Sequence, residues 1–318
     1  MVQKSDSVNM IQLLVARLRE SPWIGLFIGM PLCLICMQIS VGGTAVVSGL
    51  MGGPEGTLMS EVLSGKLDAH PQGVLWFRAF MIISQCGGWG LSGLIMIWLA
   101  GETRTLLSLP AAKTPPLLPA ALAMLTALPL VNSVMLSGDM FPFTALSPDV
   151  AQWIQKAETD SAAVLKTLMS DPGALAINLF IFALLPALCE EVFFRGFLQR
   201  QLARLMPPWA AIAVGALIFS FLHFQFYGFL ARALLGLLLG YFLYRSDSLW
   251  PGILAHASFN GLSIVGMTLL AGRPDTAELF SETYRFPLLL VAASLALTLG
   301  MLRWFHRLSP SALRSHTL

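Results

Sequence analysis

Long stretches of apolar residues with almost no charge recur along this chain of 318 residues and restrict what it can fold into. Only 11% of the residues are charged and 56% are hydrophobic, whereas a soluble domain is about one quarter charged. A helix needs about 20 apolar residues to cross the hydrocarbon core of a bilayer. The sequence therefore predicts an all-α, polytopic membrane helix bundle and no nucleic-acid partner.

Eight stretches satisfy this length requirement, so we expect about eight transmembrane helices. The segments that share the N-terminal side of the membrane carry about twice as many Lys and Arg residues as those on the opposite side. Because basic residues favour the cytoplasmic side, this predicts an N-in, C-in topology. The outside loop of about 139–172 has a helical pattern that favours a helix on the membrane surface. The expected spans are 23–50, 74–100, 116–138, 173–194, 209–227, 228–245, 250–271 and 286–305.

The expected spans differ in the small and polar residues that they carry. Gly236 and Gly240 in the sixth span have the small-xxx-small spacing that favours close helix packing. The first three spans carry no residues with evident chemistry. We expect them to serve as scaffold or to guide a substrate.

Charged residues interrupt the fourth apolar stretch: Glu190, Glu191 and Arg195. Ionisable groups within a membrane are costly, so such a cluster is a functional-site hypothesis. Glu191 and Arg195 are four residues apart and can pair on one helix face, whereas Glu190 is rotated by about 100° and is expected to point into the bundle. Alternatively, all three mark the cytoplasmic end of the helix, where charged side chains extend to the surface.

Two further apolar spans carry one histidine each, His223 and His256, and Asn260 shares a helix face with His256. A lone histidine, or a His/Asn pair, more often only bonds helices together. In combination with Glu190, however, a carboxylate and one imidazole can take a proton from water. The second imidazole and the carboxamide can donate hydrogen bonds to an oxyanion. This set favours hydrolysis of an amide without a covalent intermediate.

These residues form three motifs, each on its own expected span: E-E-x-x-x-R at 190–195, F-x-x-x-H at 219–223 and H-x-x-x-N at 256–260. In this the chain resembles the CPBP family of CAAX proteases and bacteriocin-processing enzymes, intramembrane proteases related to Ras-converting CAAX prenyl endopeptidase. The resemblance covers about 173–270. It implies that Glu190 is the general base, assisted by His223, that His256 and Asn260 form the oxyanion site, and that Glu191 and Arg195 support this geometry.

The resemblance leaves the cofactor open, because the family was long described as metalloproteases. Glu190, His223 and His256 offer two nitrogens and one oxygen to a zinc ion with an open position. A zinc-bound histidine normally donates its other ring nitrogen to an acceptor, and the candidate acceptors near both histidines are apolar. We therefore favour a metal-free, glutamate-dependent site, with zinc as the alternative.

We expect three regions: 1–172, with three helices and an outside loop of unassigned function; 173–271, a CPBP-like catalytic core of four helices; and 272–318, the last transmembrane helix and a cytoplasmic tail. The expected function is an intramembrane endopeptidase acting on a membrane-associated protein or peptide. The alternative is a non-catalytic membrane immunity or partner-binding protein on the same fold. The expected partners are the substrate and the lipid bilayer, and a bacterial chain would lie in the plasma (inner) membrane.

Overall fold

The computed structural model describes residues 15–16, 20–101, 116–135, 147–270 and 286–309. The described residues form helices, turns and loops without a strand, which confirms the all-α fold. In chain order the main helices are α1 (Pro22–Leu50), α2 (Gly73–Ala100), α3 (Leu117–Thr126 and Leu128–Met135), α4 (Pro148–Met169), α5 (Pro172–Ala203), α6 (Pro208–Phe221), α7 (Phe229–Ser246), α8 (Trp250–Leu270) and α9 (Leu288–Leu308).

Six of the described helices are long and apolar enough to cross a membrane: α1, α2, α5, α7, α8 and α9. The two pieces of α3 meet at 43° and give a seventh span if they count as one. The fifth expected span, 209–227, corresponds to α6, a helix of 14 residues and about 21 Å in length at 1.5 Å per residue. The structure thus supports six or seven spans, and the N-in, C-in topology stays a prediction.

The helix α5 forms the centre of the bundle and runs unbroken for 32 residues. The helix continues nine residues beyond the expected span end at residue 194, because the charges of Glu191 and Arg195 are paired inside the bundle and do not stop it. Two π-helical turns, Phe180–Leu184 and Val192–Leu198, widen α5. Such turns occur frequently at functional sites.

An aromatic cluster packs α5 against α2 and α6. Phe193, Phe194 and Phe197 of α5 are almost fully buried. The ring of Phe194 meets that of Phe219 on α6 edge-to-face at 5.0 Å, and that of Trp89 on α2 at 4.9 Å. Offset and edge-to-face pairs at these separations are favourable, so the cluster fixes α6 relative to α5.

Gly236 and Gly240 allow α7 to lie close to its neighbours, as their spacing predicted. A Cβ atom at Gly236 would lie 2.9 Å from the Cβ of Ala216 on α6. The bare backbone also leaves carbonyl groups accessible: Arg195 donates to the carbonyl of Gly236 at 3.2 Å, and Gln199 to that of Gly240 at 3.0 Å. Polar side chains of α5 are therefore satisfied by the α7 backbone.

The helix α4 falls within the loop that was expected to hold a surface helix. Ser147 caps its first turn by accepting a hydrogen bond from the backbone of Val150 at 3.2 Å. Ile154 and Leu168 are buried against the bundle. Glu158 accepts a hydrogen bond from the backbone N–H of Tyr227 at 3.2 Å, so α4 contacts the loop between α6 and α7.

Candidate active site

Three side chains meet where α5, α8 and the end of α6 approach one another. The carboxylate oxygen Oε2 of Glu190 lies 3.9 Å from Nε2 of His223 and 3.9 Å from Nε2 of His256. Both separations exceed a direct hydrogen bond, and both are compatible with one water molecule bonded to each group. Glu190 and His256 are buried, whereas the side chain of His223 is 28% exposed. The His223 side of the cluster is therefore the side that is open at the protein surface.

Glu191 and Arg195 form a buried ion pair beside this group. Oε1 of Glu191 lies 3.0 Å from Nη1 of Arg195 and 3.2 Å from Nδ1 of His256. The guanidinium carbon of Arg195 is also 4.5 Å from the ring centroid of Phe219, a distance that gives a cation–π interaction. The two charged residues are 0% and 2% exposed, which excludes the alternative that they extend to the membrane surface.

Both histidines have an acceptor at their second ring nitrogen. Nδ1 of His223 lies 2.7 Å from the carbonyl oxygen of Phe219, and Nδ1 of His256 faces Glu191. Carbonyl and carboxylate oxygens only accept, so each Nδ1 carries a proton. The expectation that the candidate acceptors are apolar was wrong. A backbone carbonyl leaves no mark in the side-chain pattern, and Glu191 had been assigned to Arg195 alone.

The hydrogen-bond pattern of the cluster leaves a place for a donor. With Nδ1 protonated, a neutral histidine presents Nε2 as an acceptor, so both histidines and Glu190 would present only acceptors to one another. A water molecule between Oε2 of Glu190 and the two Nε2 atoms would supply the missing donors. Water held there would lie beside a carboxylate that can take its proton, as general acid–base catalysis requires.

A residue outside the three motifs also belongs to this cluster. Gln85, in the π-helical turn Gln85–Leu91 of α2, donates from Nε2 to Oε1 of Glu190 at 3.2 Å. With Oε1 held in this way, Oε2 is the oxygen that faces the imidazoles. Gln85 was not among the predicted site residues, although a glutamine inside an apolar span, two residues before Gly87 and Gly88, is itself a signal.

Asn260 is the fourth residue that was expected to be catalytic. It lies one turn after His256 on α8 and is half-buried. Within the described part of the chain, its side chain makes no hydrogen bond to Glu190 or to either imidazole. The structure thus brings together three of the four residues expected to be catalytic and places the fourth one helical turn away.

The residues expected for the zinc alternative have suitable donor atoms but not the spacing. Zinc bonds of about 2.0–2.1 Å place tetrahedral ligand atoms about 3.3 Å apart, whereas Glu190 lies 3.9 Å from each imidazole. Among the residues that the structure describes, no three His, Cys, Asp or Glu side chains are arranged to hold a metal ion. The distances from Glu190 to both imidazoles would have to shorten by about 0.6 Å for these three residues to bind a zinc ion.

Comparison with known families assigns the helices that carry this cluster. Residues 172–262 match the family described as type II CAAX prenyl endopeptidase Rce1-like. The chain contains an Rce1-like domain. The match starts with α5 and ends just after Asn260, so it includes all three motifs, and it confirms the resemblance stated from them. Neither the curated proteins nor the solved structures include a match to this chain.

The Rce1-like family is a family of proteases, and its domain here consists of α5, α6, α7 and the first part of α8. Together with its long apolar helices, the match makes this chain a multi-pass integral membrane protein. The helices α1 to α4 and α9 lie outside the match. Gln85 is thus a contact to Glu190 from outside the Rce1-like domain.

Proposed function

We propose that this Rce1-like protein is an intramembrane endopeptidase that hydrolyses a peptide bond of a membrane-associated protein or peptide. The observation that carries the proposal is the state of Oε2 of Glu190. This oxygen is buried, has no hydrogen-bond partner among the described residues, and lies 3.9 Å from two imidazoles. An unsatisfied buried polar group costs about 1–3 kcal/mol, and groups of this kind call for an explanation such as a catalytic role.

In the proposed reaction, Glu190 and His223 hold the attacking water. The water oxygen forms a bond to the carbonyl carbon of the substrate while one water proton passes to Glu190. The carbonyl electron pair moves onto oxygen and gives a tetrahedral oxyanion. When the carbon–nitrogen bond breaks, Glu190 returns the proton to the leaving nitrogen. The products are an amine and a carboxylic acid, and the carboxylate of Glu190 is regenerated.

His256 and Asn260 are the proposed donors to the oxyanion. Because Nδ1 of His256 already faces Glu191, His256 can donate through Nε2 only when both ring nitrogens are protonated. Asn260 supplies a second donor from the next turn of α8. Donors fixed by the fold before the reaction stabilise a developing charge most effectively.

The variant Glu190→Gln tests the general base. It keeps the size of the side chain and removes its ability to take a proton, so we expect hydrolysis to fall by about 10²–10⁴-fold. The assay uses the full chain in detergent micelles and a fluorogenic peptide that ends in Cys-aliphatic-aliphatic-X, with and without a prenyl group on the cysteine. The two peptides separate a general peptidase from one that needs the lipid.

Thermal unfolding of the same protein samples is the control for this variant. We expect an unfolding midpoint close to that of the wild type, because Gln85 still has an oxygen to bind at position 190. Full hydrolysis by Glu190→Gln would reject Glu190 as the base. If the wild type cleaves neither peptide and the variant still binds a membrane partner, the immunity or partner-binding alternative is supported instead.

Treatment with a zinc chelator tests the proposed independence from metal. The separation of 3.9 Å between Glu190 and each imidazole supports a site that works without zinc. We therefore expect the hydrolysis rate to be the same after dialysis against a chelator. Loss of activity that added zinc restores would show instead that Glu190, His223 and His256 close around a metal.

A further inference from the structure

A groove lies between α7 and α9, with α6 at its edge, and shares no residue with the proposed active site. Its volume is about 660 Å³. Leu237 and Leu238 of α7 and Leu302 of α9 give it apolar walls. We call it the α7–α9 groove.

Two aromatic residues mark the depth of the groove in the membrane. The rings of Trp209 on α6 and Tyr241 on α7 are stacked, with centroids 6.0 Å apart and planes at 15°. Tyr241 also forms a hydrogen bond of 2.9 Å through its hydroxyl with Nδ1 of His306. Trp and Tyr prefer the headgroup level of a bilayer, where the apolar part of the ring contacts lipid chains and its polar group contacts water. This end of the groove is therefore expected at the level of lipid headgroups.

Two arginines of the last turns of α9 complete the lining of the groove at this end, Arg303 and Arg307. They are four residues apart, share one helix face and are exposed. In the part of the chain that the structure describes, neither forms an ion pair. Arg245 differs, because it donates to the backbone carbonyls of His306 and Ser309 at 3.2 and 3.3 Å and so caps the end of α9. Arg303 and Arg307 remain as cations beside an apolar groove.

We propose that the α7–α9 groove binds an anionic phospholipid. An acyl chain lies along Leu237 and Leu302, and the phosphate lies between Arg303 and Arg307. Guanidinium groups bind phosphate oxygens through two parallel hydrogen bonds and are less strongly hydrated than ammonium groups. Basic pockets between transmembrane helices bind acidic headgroups on the same principle. The occupant follows from the combination of a hydrophobic groove with two uncompensated cations at headgroup depth.

Lipid binding to the full chain tests the proposal. Purified protein in a neutral detergent is titrated with phosphatidylglycerol or with phosphatidylcholine of the same acyl chains, and bound lipid is counted by native mass spectrometry. We expect phosphatidylglycerol to bind about 10- to 30-fold more tightly, since each arginine near the phosphate contributes about one factor of five. The double variant Arg303→Gln/Arg307→Gln should bind both lipids equally.

A matched variant removes the same charge elsewhere. Lys66→Gln/Lys166→Gln changes two exposed cations outside the groove, of which Lys66 lies 3.5 Å from Glu61, and it should keep the full preference for phosphatidylglycerol. Equal loss in both double variants would reduce the effect to net charge and reject the groove. The variant Leu302→Trp, which fills the groove, should weaken lipid binding. If inorganic phosphate alone competes fully for the site and Leu302→Trp has no effect, the site holds an anion and not a lipid.

Discussion

The Rce1-like domain and the N-terminal helices α1 and α2 are held in the bundle in different ways. The domain supplies charged groups that are held by one another, such as Glu191 and Arg195 at 3.0 Å. The helix α1 buries mainly small residues, among them Gly29 and Ser40, and packs through them. The helix α2 adds a single uncharged side chain, Gln85, at the carboxylate of Glu190.

This difference shows that the region with a family match and the extent of the active site do not coincide. The match covers residues 172–262, yet one of the two oxygens of the proposed base is held by a residue about 100 positions earlier. An Rce1-like domain expressed without α2 would lack this contact. The expected division of the chain at 172 stays a prediction, and the structure shows that the two sides of it share a hydrogen bond.

The largest expected effect is the loss of stability when an arginine is replaced, which should be greater in the Rce1-like domain than in α2. Arg195→Met leaves the buried Glu191 without its cation, which costs about 3–5 kcal/mol in comparable cases. Arg78→Met on α2 breaks a neutral-acceptor hydrogen bond of 3.0 Å and leaves the buried Oδ1 of Asn178 without this partner, at a smaller cost of about 1–3 kcal/mol. Thermal or denaturant unfolding in detergent measures both.

Failure of Arg195→Met to fold would leave the cause open, so a second variant is needed. Arg195→Met combined with Glu191→Gln removes both charges and should recover part of the lost stability. Equal destabilisation by Arg195→Met and Arg78→Met would contradict the view that the Rce1-like domain depends on a buried charge network. No recovery in the double variant would show that Arg195 acts mainly by packing on Phe219.

The architecture was largely predictable because apolar length is a direct physical requirement of membrane helices. The helices α1, α2, α7, α8 and α9 fall within three residues of their expected bounds. The errors arose where a polar pattern was taken as a helix end or an apolar pattern as a full span. The helix α5 continues past Arg195 because that charge is compensated internally, and α6 stops at Phe221 although apolar residues follow.

The candidate site was predictable to the extent that its groups are ionisable. Glu190, His223 and His256 were identified because each is costly in a bilayer, and the structure brings them together. The acceptor at His223 could not be predicted, since it is the backbone carbonyl of Phe219. Gln85 is neutral and lies on a helix without a motif, so its partner on α5 becomes evident only from the packing of α2.

The next effect tests whether Gln85 positions the base or only stabilises the fold. Gln85→Met keeps the volume and removes the hydrogen bond to Glu190, so we expect kcat to fall by about 10–100-fold with little change in KM. Gln199→Met is the matched control, because Gln199 is equally buried and donates to the carbonyl of Gly240 at 3.0 Å. It should lower stability and leave kcat nearly unchanged.

These two glutamine variants also decide how far the active site extends beyond the family match. Equal loss of kcat in both would assign Gln85 a structural role and restrict the site to the Rce1-like domain. A fall in kcat for Gln85→Met alone, with an unfolding midpoint no lower than that of Gln199→Met, would make Gln85 a positioning residue supplied by α2.

The smallest expected effect is the change in stability when a glycine is replaced by alanine, either inside the Rce1-like domain or on α9. Gly236→Ala places a Cβ 2.9 Å from Ala216, so α7 must move away from α6 at a cost of about 1–3 kcal/mol. Gly300→Ala on α9 meets no atom within 4 Å and should be neutral or stabilise by up to about 1 kcal/mol, because alanine favours a helix. Unfolding midpoints in detergent show the direction of the stability change in each variant.

The shift of α7 in Gly236→Ala would also move the carbonyl that Arg195 binds, so hydrolysis should decrease in that variant and not in Gly300→Ala. Equal behaviour of the two glycine variants would mean that close contact between α6 and α7 does not hold the charged cluster in place.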